Sequence, residues 1–150
     1  MPHRRPPPAV LAGSADDVEA QFYEALQQGD LQKLMALWAD DDEIVCVHPG
    51  GPRLIGAPAI RASFEAILAS GGVRVQPEQV HRVTTLGAAL HHLVQQTTLA
   101  GAARPAKTVW ATVSNFYVKT AQGWRLVAHH ASPGQPDQSA GPADLPSTLH

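Results

Sequence analysis

The chain has 150 residues, an apolar fraction of 44% and a formal net charge of −2. That length suffices for one domain with a real core and not for two. So even a charge balance offers no basic patch for nucleic acid or for an anionic membrane surface, which leaves small molecules and other proteins as the expected partners.

Cys46 is the single cysteine, so no internal disulfide can form. Its place in an apolar strand suggests a buried thiol in a reducing compartment. Two arginines and a proline run open the chain, no apolar segment long enough for a signal peptide follows, and no apolar stretch approaches the roughly twenty residues of a membrane span. The expected location is the cytoplasm.

Residues 1–14 are proline-rich and residues 133–150 are poor in large apolar side chains, so both are expected to be disordered tails around a domain at 15–132. Ser14 or Asp16 can cap a first helix whose apolar positions Val18, Phe22, Ala25 and Leu26 recur at helical spacing up to Gly29. Asp30 can cap a second, with Leu31, Leu34, Met35, Leu37 and Trp38 as its buried stripe. The acidic run Asp40 to Glu43 closes it as a solvated turn, because no further oxygen ligands follow at the spacing of a calcium loop.

Ile44 to Val47 then forms a short strand with Ile44, Cys46 and His48 pointing to one side, ended by Pro49, which has no N–H to donate. After a Leu54–Gly56 segment, Pro58 sits at the start of a third helix with Ile60, Phe64, Ile67 and Leu68 on one face and Gly71-Gly72 as its stop. The rest is β in character: Val73–Leu86, Ala88–Leu99, Lys107–Thr120 and Trp124–Ala131, separated by Gly87, by Gly101 to Pro105 and by Gln122-Gly123. Helices first and long antiparallel strands later describe an α+β domain, a curved sheet wrapped around helices with a hollow at its open end.

His48, held at a strand end beside a Gly-rich turn, is placed as functional side chains commonly are; the plainer alternative is a hydrogen-bonded histidine with no chemistry. On the last strand His129 and His130 alternate, so one faces the hollow and the other faces out, and the sequence does not say which. Phe22, Trp38, Cys46, Phe64 and Trp110 are candidate walls of an apolar pocket, with ordinary core packing as the competing reading. His81, His91 and His92 read as surface positions of half-exposed strands. Histidines scattered over distant strands lack metal-ligand spacing, so no metal is expected. No phosphate-cradling glycine motif is present, and Ser132 lacks the Gly-x-Ser-x-Gly elbow of a nucleophile.

The order of elements, with Phe22-Tyr-Glu-Ala-Leu-Gln-Gln-Gly-Asp30, Leu37-Trp-Ala-Asp-Asp41, Cys46-Val-His-Pro-Gly50, Gly56, Ala62-Ser-Phe64 and Trp124-Arg-Leu-Val-Ala-His-His-Ala-Ser-Pro133, resembles the nuclear transport factor 2-like superfamily, specifically its SnoaL-like bacterial members. The resemblance implies a cystatin-like, cone-shaped α+β barrel with three N-terminal helices on a strongly curved, mostly antiparallel sheet. That superfamily spans ketosteroid isomerase, polyketide cyclases, dehydratases and oligomerisation domains, so fold alone does not choose among them.

Set beside ketosteroid isomerase, His48 occupies the position of the catalytic aspartate base, and an imidazole is a competent proton acceptor near neutral pH. The catalytic tyrosine falls on Phe22, which has no hydroxyl, with Tyr23 next to it. The protonated aspartate falls on Asn115, whose amide can donate a hydrogen bond. The resemblance thus implies a small-molecule-binding protein, with His48 as base and Asn115 as donor, acting next to a carbonyl without a cofactor as an isomerase, dehydratase or cyclase. A non-catalytic dimerisation or ligand-binding module is the alternative. Either way a homodimer is expected, since valine and threonine on both sides of the long strands favour a second buried face.

Overall fold

The computed structural model describes residues 13–99 and 107–136. The expected tails and the Gly101 to Pro105 turn fall largely outside them. Helix α1 (Ala15–Gln28) starts where the Ser14 hydroxyl accepts the N–H of Asp17 at 3.1 Å, and it stops at Gly29, whose φ of 69° is one glycine adopts without strain. Its apolar stripe of Val18, Phe22, Ala25 and Leu26 is buried.

Helix α2 (Leu31–Ala36) is capped by Asp30, whose carboxylate accepts from the N–H of Lys33 at 3.0 Å. It is shorter than the periodicity of its apolar residues suggests. The carbonyl of Leu37 takes the N–H of Leu126 at 2.8 Å, and Ala39 N–H donates to the Leu126 carbonyl at 2.9 Å. Pairing with the sheet therefore overrides helix propensity at Leu37 and Trp38.

Strands β1 (Val45–Val47) and β2 (Arg53–Ile55) form an antiparallel hairpin, followed by α3 (Ala57–Ile67), with Pro58 in its first turn. The third helix therefore comes after the first two strands. Then β3 (Arg74–Thr84), β4 (Ala88–Thr98), β5 (Thr108–Thr120) and β6 (Gly123–Pro133) run as an antiparallel meander. The spatial order is β2-β1-β6-β5-β4-β3, with β1 parallel to β6, so the sheet is mixed, mostly antiparallel and open at its β2 and β3 edges.

Two irregularities shape it. In β3 the register shifts between Glu78 and His81, where Gln79 has φ 52°, a bulge that increases local twist. In β6, Phe116 pairs with Ala128 and Tyr117 with Leu126, so Val127 is an extra residue. Phe22, Leu34, Leu37, Ile44, Ile60, Leu93, Val113 and Leu126 are almost entirely buried in the core that joins helices and sheet. No helix among the described residues is long and apolar enough to cross a membrane.

Candidate functional site

Register places one polar row across the buried face of the sheet. Arg82 of β3 pairs with His91 of β4, His91 with Asn115 of β5, Asn115 with His129 of β6, and His129 with Cys46 of β1. Cys46, His129, Asn115 and His91 are all buried. Helix α1 lies over this row and turns Asp16, Glu19 and Tyr23 toward it, three positions at helical spacing beside the apolar stripe.

His129 Nδ1 lies 2.6 Å from Asn115 Oδ1. The Asn115 amide nitrogen donates to the Tyr23 hydroxyl at 3.3 Å, and that hydroxyl donates to Gln95 Oε1 at 3.2 Å. Read as one network, each donor meets an acceptor only if Nδ1 of His129 carries the hydrogen, which leaves Nε2 as a bare lone pair. Burial drives the His129 pKa down to about 3, with the nearby His48 and His130 rings adding to the effect, so the ring is neutral at physiological pH. Burial likewise raises the Tyr23 hydroxyl, opposed by its bond from Asn115, and Tyr23 stays protonated.

His48 sits just beyond β1, half-buried where the chain leaves the sheet. Its Nε2 is 2.9 Å from the Ser63 hydroxyl, which itself donates to the Ile60 carbonyl at 2.7 Å. With its hydrogen spent on Ile60, Ser63 can only accept, so Nε2 of His48 is the protonated nitrogen and Nδ1 is free to take a proton. Partial burial lowers the His48 pKa below its ordinary 6.5. Phe64 packs edge-on against His48 at 4.9 Å between ring centres, Phe22 lies 5.3 Å from His129, and the two imidazoles are 6.4 Å apart. Cys46 closes the group, its Sγ 3.7 Å from His48 Nε2. Burial pushes its thiol up to about 12, so it packs as an apolar wall and not as a nucleophile.

Of the residues singled out in the sequence, His48, His129, Asn115, Phe22, Cys46 and Phe64 come together. Three do not join them. His130 is exposed and pairs with Ser114 on the opposite face. Trp110 pairs with Gln96 at a position of the same parity, so it belongs to that outer face too. Trp38 lines a separate cavity of about 490 Å³ with Met35, Ala39, Pro58 and Arg61, and its indole N–H has no partner among the described residues.

Asn115, expected to donate to a ligand, has its amide nitrogen engaged by Tyr23 instead. His91, expected at the surface, is 1% exposed, with Nδ1 2.7 Å from Glu19 Oε2. The correction has a simple cause: the inward alternation of Ala89, His91 and Leu93 on β4. Ser63, Glu19 and Tyr117 were missed altogether, and Tyr23 was noticed only as the neighbour of Phe22. The acidic and aromatic positions of α1, three and four residues apart on the buried side, were the available signal. Among the described residues no group of three or more His, Cys, Asp or Glu side chains is arranged to hold a metal ion.

An open mixed sheet wrapped on helices is the architecture of the nuclear transport factor 2-like proteins. The sequence profile of the SnoaL-like domain matches residues 16–136, and the chain belongs to that family. No curated protein matches it. Among solved structures it is similar to a provisionally named calcium/calmodulin-dependent protein kinase type II association domain from Thiobacillus denitrificans, 32% identical, covering 81% of this chain and 96% of that one with a TM-score of 0.72. A provisionally named dehydratase of the same fold family from Streptomyces avermitilis is 27% identical over 85% of this chain and 98% of that one, TM-score 0.69. A provisionally named ketosteroid isomerase from Parabacteroides distasonis, 14% identical over 85% of this chain and 94% of that one, TM-score 0.65, shares the fold.

Proposed function

We propose that this SnoaL-like protein binds a small, largely apolar carbonyl compound and moves a proton beside the carbonyl without a cofactor, dehydration of a β-hydroxy carbonyl being the reaction that fits best. The observation that carries the reading is the imidazole pair. Two neutral rings 6.4 Å apart, flanked by Phe22 and Phe64, each have one nitrogen tied to the protein and the other unengaged among the described residues.

In this reading Nδ1 of His48 takes the proton from the carbon next to the carbonyl, and the electron pair of that C–H bond forms the new C=C bond as the β-hydroxyl departs. The imidazolium returns its proton to the leaving oxygen, which leaves as water. His129 Nε2 accepts a hydrogen bond from a ligand hydroxyl and orients it. Isomerisation or cyclisation through a long-lived enolate fits less well, because among the described residues the hydroxyls of Tyr23 and Tyr117 donate to Gln95 and Glu19 and the Asn115 amide donates to Tyr23, which turns these groups away from an oxyanion. The provisional dehydratase name of the Streptomyces relative supports the same choice.

The test is a panel of β-hydroxy ketones and thioesters, followed by the ultraviolet absorbance of the conjugated product. His48→Ala is expected to reduce turnover by about 100-fold or more, the usual scale of a general base. Turnover unchanged in that variant removes the proposed base.

A second reading rests on a different observation. The outer face of the sheet leaves Phe116 44% and Val83 64% exposed, and a 32% identical relative is named an association domain. On this account the chain is a homodimerising module that pairs through that face. Light scattering of wild type and Phe116→Glu separates the two: a dimer that dissociates in the variant supports the module, a monomer in both sinks it.

A further inference from the structure

The cavity beside Trp38 has no part in the proposed reaction. It encloses about 490 Å³ between the segment that follows α2 and the first turn of α3, a volume in the range that takes a small molecule. Met35, Trp38, Ala39 and Pro58 supply apolar walls, while Asp40 and Arg61 supply charge. Both sides are held in place. Trp38 pairs with Leu126 of β6 and Ala39 N–H donates to the Leu126 carbonyl; across from them Gly56, at φ 89°, sends its N–H to the Ile44 carbonyl at 2.8 Å and so fixes where α3 starts.

The polar groups on this wall are unspent. Asp40 and Arg61 bring opposite charges to one small cavity, yet among the described residues neither side chain makes a hydrogen bond or an ion pair with the other or with anything else. Exposed charges elsewhere do pair, as Lys33 with Glu24 and Arg82 with Asp16. Trp38 is 5% exposed, and its indole N–H is the one buried side-chain donor without a partner among the described residues. A native interior seldom leaves such a group unmet. Helix α3 opens with no side-chain cap, and the N–H groups of Ala57 and Ala59 meet no carbonyl among the described residues. A helix start in that state offers free donors and partial positive charge.

Unpaired charges of both signs beside an apolar wall complement a guest that carries both signs on an apolar body. A plain carboxylate would meet repulsion from Asp40 and a plain amine repulsion from Arg61, whereas a zwitterion satisfies both. We propose that this cavity is a second binding site, for a small apolar α-amino acid. Arg61, the start of α3 and the Trp38 indole N–H take the carboxylate, Asp40 takes the ammonium group, and Met35, Trp38 and Pro58 cover the side chain. The site stands apart from the proton-transfer reading: Ser63 and Phe64, which touch His48, do not line it.

The test is calorimetric titration of the full chain with L-phenylalanine, with 3-phenylpropionate, which lacks the ammonium group, and with phenethylamine, which lacks the carboxylate. Phenylalanine is expected to bind at least about ten-fold more tightly than either analogue. Arg61→Gln and Asp40→Asn, both at exposed positions, are each expected to weaken phenylalanine by about ten-fold or more. The first variant should erase its advantage over phenethylamine and the second its advantage over phenylpropionate. In a proton–nitrogen spectrum the Trp38 indole signal, identified by its loss in Trp38→Phe, should move on addition of phenylalanine while those of Trp110 and Trp124 stay. Should Trp38→Phe fail to fold, the calorimetry of the two surface variants carries the test.

Phenylalanine that binds no better than its two analogues, or equally well in wild type and Arg61→Gln, overturns the proposal. So does the absence of binding by phenylalanine, leucine and methionine alike at millimolar concentration. His48→Ala is expected to leave phenylalanine binding unchanged; if that variant abolishes it, the guest sits beside the imidazole pair and the second site falls.

Discussion

Two histidine-bearing rows cross the same strands one residue apart and meet opposite fates. On the inner face His91, Asn115 and His129 are paired side by side, buried and bonded. On the outer face His81, His92, Ser114 and His130 are paired in the same manner, and all three histidines are exposed. Residue type does not distinguish the rows. The covering does: α1 brings Glu19 and Tyr23 down onto one face, and the described residues bring nothing comparable onto the other. What is laid over an imidazole thus decides its state, since a dry partner fixes its tautomer and its charge while water fixes neither.

The contrast is sharpest in stability. His91→Ala strips the buried Glu19 carboxylate of its imidazole partner and should cost about 3–5 kcal/mol, whereas His92→Ala, its outer neighbour, should stay within about 0.5 kcal/mol. Urea unfolding of the two variants decides it, and equal losses would erase the distinction between the rows. Asn115→Ala comes next. It leaves His129 and Tyr23 short of partners and should cost about 2–4 kcal/mol together with most of the turnover, against a near-neutral Ser114→Ala.

Acid should also tell the rows apart. His129 is held down to about 3 in the folded protein and returns to an ordinary value near 6.5 on unfolding, so below pH 6.5 the unfolded chain binds the extra proton. Stability is therefore constant above that value and falls as pH drops toward 3, with a slope approaching about 1.4 kcal/mol per pH unit from this one group. Denaturant titrations between neutral and mildly acidic pH should show that slope reduced in His129→Gln. The smallest effect concerns rate: because the His48 pKa lies below 6.5, kcat/KM should be flat above that pH and decline only beneath it. A decline centred well above 6.5 would assign the base elsewhere.

The sequence was legible where a local pattern and its tertiary outcome agree. Ser14 and Gly29 bracket α1, and Ile44, Cys46 and His48 turn to one side as alternation requires. It was silent on His129 against His130 for an identifiable reason. Strict alternation from the buried Leu126 would turn His130 inward, but the extra residue Val127 moves the parity by one and His129 takes that place. No propensity marks a bulge at a valine. His91 was misjudged because its partner Glu19 lies on a helix far away in sequence, and a buried hydrogen-bonded pair reads locally as two polar surface residues. Trp38 looked helical because its spacing was right, and only the parallel bridge to Leu126 shows otherwise.

The insertion of β1 beside β6 has a consequence for synthesis. His48 belongs to the first hairpin, but its companion ring arrives only with the final strand of the meander, so a nascent chain on the ribosome lacks the imidazole pair until the end. A compound that needed both rings, as the proposed function requires, would recognise finished molecules and ignore partly made ones. In a cell rich in that compound, ligand would therefore protect completed copies from proteases while leaving truncated products to be cleared.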